Sequence, residues 1–141
     1  MTLVVDASVA LKWFVSEEGS AQAATLLAGL DALIAPDLIV AEVVNAAWRS
    51  VRAGTMLDVQ HDHVAARLGA AFDELVPLAA LAPRAAVVSR LLDHPAYDCF
   101  YLALAEARAA RLVTADRRLL GRVAGTPWAR LTADLYAMPS A

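Results

Sequence analysis

The sequence predicts an α/β fold with an open parallel sheet. Three observations predict it. Leu3-Val4-Val5 is an apolar run, two of its residues β-branched, that ends in Asp6, which reads as a buried strand presenting a carboxylate at its C-terminal end. The same arrangement returns late in the chain at Leu112-Val113-Thr114-Ala115-Asp116. Between the two, helical stretches alternate with short apolar runs, the pattern of a layered α/β protein. Ligands of such sheets sit in the crevice outside the carboxyl ends of the strands, so Asp6 is expected where the chemistry is done.

Taken in order, Ser8 caps an apolar helix from Val9 to Val15, and Glu17-Glu18-Gly19-Ser20 is a polar break. Ser20 caps a helix to about Leu27, with Gly29 as its stop. Leu33-Ile34-Ala35, ended by Pro36, is a second strand. Asp37 then caps a long helix from Leu38 to about Ala53, closed by Gly54. Its polar residues Glu42, Asn45, Arg49 and Arg52 span a stripe of about 80° at ~100° per residue. Leu57 to Phe72 is an amphipathic helix carrying His61 and His63. Positions i and i+2 do not share a helix face, so this pair reads as surface residues and not as a zinc site. Leu75 to Leu81 includes a strand interrupted or bounded by Pro77, and Arg84 to Leu92 is helical. His94-Pro95 breaks that helix and starts another, with Asp98 in its first turn. Asp116 caps a helix from Arg117 to Val123, and Trp128 to Leu131 reads as a last short strand before one helical turn and a tail from Pro139.

Composition narrows the class. With 141 residues, the chain reads as one domain over 1–141. Apolar residues make up 60%, against a usual ~45–50%, and much of the excess is alanine, which suits tightly packed helices. No uncharged run reaches the ~18 residues of a membrane span, and Asp6 and Lys12 fall where a signal peptide would be apolar. The single cysteine, Cys99, has no partner for an internal disulfide, so a cytoplasmic location is expected. A net charge of −3 argues against a general nucleic-acid binder, but it is compatible with an acidic, metal-filled site and local basic patches. Eleven of the twelve basic residues are arginine. Arginine suits phosphate contacts, and genome base composition explains the bias equally well.

Four acids stand out: Asp6, Glu42, Asp98 and Asp116. Each has a local explanation as a turn former, a solvated side chain, a helix-dipole partner or a cap. Together they occupy two strand ends and two helix beginnings, which can converge in one layered fold. Clustered carboxylates repel unless a cation or a proton relieves them. An all-oxygen set without Cys or His points to Mg²⁺ or Mn²⁺, ions suited to phosphate chemistry.

The segments Val5-Asp6-Ala7-Ser8, Ala41-Glu42-Val43-Val44-Asn45, Tyr97-Asp98 with Tyr101-Leu102-Ala103-Leu104-Ala105, and Thr114-Ala115-Asp116 resemble those of a PIN domain, and more closely of the VapC toxin nucleases of VapBC toxin–antitoxin pairs. The resemblance runs over essentially the whole chain. It implies a PIN-like α/β fold with a mainly parallel central sheet flanked by helices on both faces. It implies Asp6, Glu42, Asp98 and Asp116 as metal-site and catalytic acids, with Ser8, Asn45 and Thr114 as supporting polar groups. It further implies a Mg²⁺- or Mn²⁺-dependent endoribonuclease that hydrolyses RNA with a metal-activated water, a VapB-like antitoxin partner, and a homodimer. Lys12, Arg49 and Arg117 are candidate RNA contacts. Trp13, Phe14 and Trp48 in alanine-rich helices suggest apolar surface left over for partners. The alternative is a non-catalytic PIN-like RNA- or protein-binding module. A phosphorelay receiver normally has a late-strand lysine, and here the lysine is Lys12. A haloacid-type phosphatase has Asp-x-Asp, and here Ser8 stands at the second position.

Overall fold

The computed structural model describes residues 1–140. Its sheet has five strands: β1 (Thr2–Val5), β2 (Ala32–Pro36), β3 (Glu74–Val76), β4 (Arg111–Thr114) and β5 (Thr132–Asp134), in the order β3-β2-β1-β4-β5. Every pairing is parallel. Val4 lies opposite Ile34 on one side and Leu112 on the other. The chain runs outward from β1 to β3 on one side, then returns and runs outward from β4 to β5 on the other. The reversal falls between β1 and β4, the topological switch point at which an open parallel sheet opens a crevice.

Val4 and Val5 are both fully buried. Neighbours on a strand face opposite ways, so both faces of the sheet are covered. The helices are α1 (Ala7–Ala10), α2 (Ser20–Ala28), α3 (Leu38–Arg52), α4 (Asp58–Arg67), α5 (Leu78–Leu92), α6 (Ala96–Arg108) and α7 (Arg117–Val123). α6 is the central one. Cys99, Leu102, Ala103, Leu104 and Ala105 are all buried, which leaves it apolar nearly all round, as a helix packed inside a core must be. It lies against α5 and against β1, β2 and β4. Its alanines allow the close approach. Among the described residues no helix is long and apolar enough to cross a membrane.

Several local expectations are corrected. The first helix is capped by Asp6, whose side chain accepts from the Val9 amide; α1 then tightens into a 3₁₀ turn at Leu11–Trp13. Ser8 is released for a different bond, described below. Gly19, at φ 88°, stands at the start of α2, while the Ser20 hydroxyl donates to the Val15 carbonyl. Asp37 does not cap α3; its carboxylate accepts from the Leu78 amide and ties the end of β2 to the start of α5. The strand expected within Leu75–Leu81 is Glu74–Val76, bounded by Pro77 as expected; Pro77 opens α5, which begins at Leu78 and not at Arg84 and tolerates Pro83 in its interior. Ala129–Leu131 is a 3₁₀ turn and the last strand follows it at Thr132–Asp134.

Two aromatic residues expected at the surface are instead partly buried. Trp13 and Phe14 pack against the core, Trp13 with its ring 5.5 Å from that of Phe72. Trp48 alone of the three is exposed, with Arg52 over its ring. His61 is more than a surface residue, since its Nε2 meets the Val44 carbonyl at 3.0 Å and clasps α4 to α3.

Candidate active site

The carboxyl ends of β1 and β4 are tied together by side chains. Asp6, the residue after β1, is 5% exposed. Its Oδ1 accepts from the Ser8 hydroxyl at 2.5 Å and from the Val9 amide at 3.3 Å, and its Oδ2 accepts from the Thr114 hydroxyl. Each hydroxyl is itself held. Ser8 Oγ accepts from the Ala115 amide and Thr114 Oγ1 accepts from the Asp116 amide, both at 3.0 Å. The result is a closed lattice in which two strand ends fix one carboxylate, and in which Ser8 and Thr114 each have a geometric task.

An open cavity of about 510 Å³ lies over this lattice, and Asp6, Glu42, Asp98 and Asp116 all line it. Glu42 enters from α3, one turn inside its start. Asp98 enters from the first turn of α6, and Asp116 from the cap of α7, where it accepts from the Arg118 and Leu119 amides. Ser8, Asn45, Lys12 and Arg49 line the same cavity. The structure therefore brings the four acids to one place. Thr114 lies beneath, bonded to Asp6. Arg117 does not line the cavity; its guanidinium stacks 4.8 Å from the Tyr136 ring, and Tyr136 does line it.

Lys12 departs from its expected role. It is 9% exposed, and its ammonium is bonded to Glu17 Oε1 at 3.0 Å and to the Glu18 carbonyl at 2.7 Å. A cation so enclosed braces the cavity wall and has little left to offer a phosphate. Gly19 is part of the same wall: a Cβ there would meet the Tyr136 ring at 3.0 Å and the Lys12 chain at 3.2 Å. Arg49, exposed and without an acidic partner among the described residues, is free to meet an anion.

Two residues that carried no role in the sequence belong to the site. The Tyr101 hydroxyl donates to Glu42 Oε1 at 2.6 Å. His94 Nε2 lies 2.6 Å from Asp98 Oδ2, with the imidazole almost wholly buried. Spacing could have indicated Tyr101. Tyr101 follows Asp98 by three positions and shares a face of α6 with it; His94 precedes α6, in the connection to Pro95, and reaches back to the first turn.

The electrostatics follow from burial. Asp6 is pushed up to about 6, above all because burial penalises its charge, with a further push from the Asp98 carboxylate; bonds from Ser8, Thr114 and Val9 oppose the shift. Glu42 is also raised, by burial first and by Asp98 last, against the Tyr101 bond. Asp6, Glu42 and Asp98 are thus within electrostatic reach of one another. Among the described residues no cationic side chain forms an ion pair with Asp6 or Glu42, although Lys12 and Arg49 line the same cavity.

That imbalance allows a test of whether a divalent cation fits. The donors are all carboxylate and hydroxyl oxygens, the hard ligands of Mg²⁺ or Mn²⁺. Among the described residues no three acidic, imidazole or thiol groups already stand at ligating separation. A small cation that keeps several waters and takes one or two carboxylates directly needs no such closed cage. The residues fit such an ion. Cys99 takes no part: it is buried, its thiol pushed up to about 11, chiefly by burial.

A parallel sheet with an acidic crevice at its switch point is the architecture of the PIN domains. The chain belongs to the PIN domain family, whose model matches residues 3–125. Over 121 residues it is 32% identical to Ribonuclease VapC3 of Pyrobaculum aerophilum, an alignment covering 84% of this chain and 92% of that one. The fold is similar to that in a toxin–antitoxin complex from Klebsiella pneumoniae, with a TM-score of 0.70 and 17% identity over 96% of this chain and 98% of the other. It is similar too to PAE2754 from Pyrobaculum aerophilum, with a TM-score of 0.66 and 22% identity over 96% and 84% of the two chains.

The raised Asp6 carboxyl gives a signed prediction for the metal-free protein. Below the unfolded value of 3.8 Asp6 is neutral in both states, and above about 6 it is charged in both, so the folded state carries the burial penalty only at higher pH. Asp6→Asn should therefore be more stable relative to wild type at pH 7.5 than at pH 4.5. The limiting difference, from about two pK units at 1.36 kcal/mol each, is roughly 3 kcal/mol; because the unfolded carboxyl is already largely ionised at pH 4.5, about 2 kcal/mol of it falls between the two pH values. Urea denaturation of both proteins in EDTA at the two pH values measures it. A stability difference that does not change with pH would contradict the assignment.

Proposed function

We propose that this chain is a Mg²⁺- or Mn²⁺-dependent endoribonuclease, the toxin component of a VapBC-type toxin–antitoxin pair. The observation that carries the reading is the convergence of Asp6, Glu42, Asp98 and Asp116 on one cavity, with no ion pair to Asp6 or Glu42 among the described residues. The similarity to a protein named Ribonuclease VapC3 supports the substrate class.

In this reading the four carboxylates would hold the divalent ion, with Ser8, Thr114 and Asn45 as supporting polar groups. When bound, such an ion supplies charge stabilisation at the phosphate and acidifies a water. The chain's own residues do the rest. The Ser8 and Thr114 hydroxyls and the Val9 amide keep Asp6 ionised and fix its direction. Asp98 gives one oxygen to His94, so Oδ1 is the atom left to take a proton from the attacking water, in the manner of a general base; Asp116 is the other candidate for that proton. Hydrolysis by water leaves the ribose 2′-hydroxyl without a part in the chemistry. The preference for RNA then comes from contacts outside the acidic centre, with Arg49 beside the cavity and Arg117 next to it on Tyr136 as the phosphate contacts.

For partners, we propose a homodimer that binds a VapB-like antitoxin. An apolar hollow on α3, lined by Val40, Val44 and Trp48 with His61 at its edge, is the surface that supports this. Val40 and Trp48 remain exposed there. The alternative, a non-catalytic PIN-like RNA- or protein-binding module, draws on the absence of three gathered ligand groups among the described residues.

Incubation of the purified protein with total cellular RNA tests the reading. Cleavage should require Mg²⁺ or Mn²⁺, stop with EDTA, and fall by at least ~10²-fold in Asp98→Asn, the usual scale for loss of a proton-transfer group. Cleavage in EDTA, or restored by Zn²⁺ alone, would contradict the metal assignment; binding of RNA without cleavage would select the alternative. Light scattering at micromolar concentration should give twice the chain mass, and a monomer there would remove the dimer.

A further inference from the structure

We propose that Tyr101 is a positioning residue, its hydroxyl holding the Glu42 carboxylate in place for a divalent cation in the cavity. The inference rests on the acidic centre proposed above and deepens it, since neither sequence spacing nor the family likeness assigned Tyr101 a task.

The geometry is specific. Tyr101 is 1% exposed, on a helix whose other buried residues are leucine, alanine and cysteine. Phenylalanine would fill that volume equally well, and a buried hydroxyl left without a partner is costly. Here the hydroxyl donates to Glu42 Oε1 at 2.6 Å, joining α6 to α3 across the floor of the cavity. Both residues line that cavity. The hydroxyl also lies within electrostatic reach of Asp6 and Asp98, and burial with three surrounding carboxylates pushes its pKa far above the ordinary tyrosine range.

Glu42 needs such a donor. Its side chain is long and flexible, it sits part-buried on α3, and it forms no ion pair among the described residues. Asp6 has three donors and Asp98 has His94, but Glu42 has only Tyr101 among the described residues. Without the hydroxyl the carboxylate would lose both its direction and the bond that favours its charged form. A group that orients a ligating carboxylate is typically worth 10–100-fold in metal affinity.

The test compares wild type, Tyr101→Phe, Glu42→Gln and the double variant. Mg²⁺ affinity is measured by calorimetry without RNA, and kcat and KM for RNA cleavage are measured separately. Melting in EDTA confirms that each variant is folded. We expect Tyr101→Phe to weaken Mg²⁺ binding by about tenfold, the lower end of that range, and to lower kcat at subsaturating Mg²⁺ with KM for RNA unchanged. On the Glu42→Gln background the same change should add less than twofold, because the group it positions is already altered. Wild-type Mg²⁺ affinity in Tyr101→Phe, or an equal loss on both backgrounds, overturns the inference while leaving the nuclease reading intact. A wild-type protein that neither binds Mg²⁺ nor cleaves overturns the nuclease reading itself, and this inference with it.

Discussion

The structure depends on one buried carboxylate. Asp6 ends β1, caps α1, and takes hydrogen bonds from Ser8 on its own strand-to-helix turn and from Thr114 at the end of β4. The two central strands are joined by backbone bonds along their length and by this side chain at their ends. The same group that terminates the strand and starts the helix is also the most deeply placed acid of the cavity. Structure and chemistry therefore draw on the same atoms. A charge held there is costly by burial, and the three donors offset only part of that cost.

The surrounding acids turn a local cost into a shared one. Glu42 and Asp98 come from helices on different parts of the chain, yet both act electrostatically on the same site. Each carries a hydroxyl or an imidazole as its partner, Tyr101 or His94, in place of a lysine or arginine. The nearby lysine is spent on Glu17 and a carbonyl. The molecule places its strongest fixed positive charges elsewhere, in exposed pairs such as Arg84 with Glu106 and Arg108 with Glu74. Such exposed pairs contribute little to stability, whereas an uncompensated acidic cavity is selective for what enters it.

Much of this was legible in the sequence because strands buried on both faces are continuous apolar runs. β1, β2 and β4 announce themselves that way, and the acids at their ends follow by position. β5 did not, because Thr132-Ala133-Asp134 is a short, half-buried edge strand with no run to read. β3 was displaced for the same reason, its pattern merging with the apolar start of α5. Caps were misassigned where a better acceptor stood nearby. Ser8 looked like a cap, but the Asp6 carboxylate, two residues earlier, takes the Val9 amide and leaves Ser8 to reach across to Ala115. Tyr101 and His94 were missed because their partners lie on another helix or one turn away, and a tyrosine in an apolar helix looks like core. Lys12 reads as a free cation in the sequence because its enclosure by Glu17 and Glu18 exists only once the loop has folded.

The central claim is that this acidic cavity is built around a divalent cation. Anomalous diffraction from crystals grown with Mn²⁺ tests it most directly. The account predicts a manganese peak in the cavity, in contact with Asp6 or Asp98 and with Glu42 still bonded to Tyr101. Manganese found only at other surface carboxylates, with the cavity acids keeping the arrangement they have without metal, would contradict it.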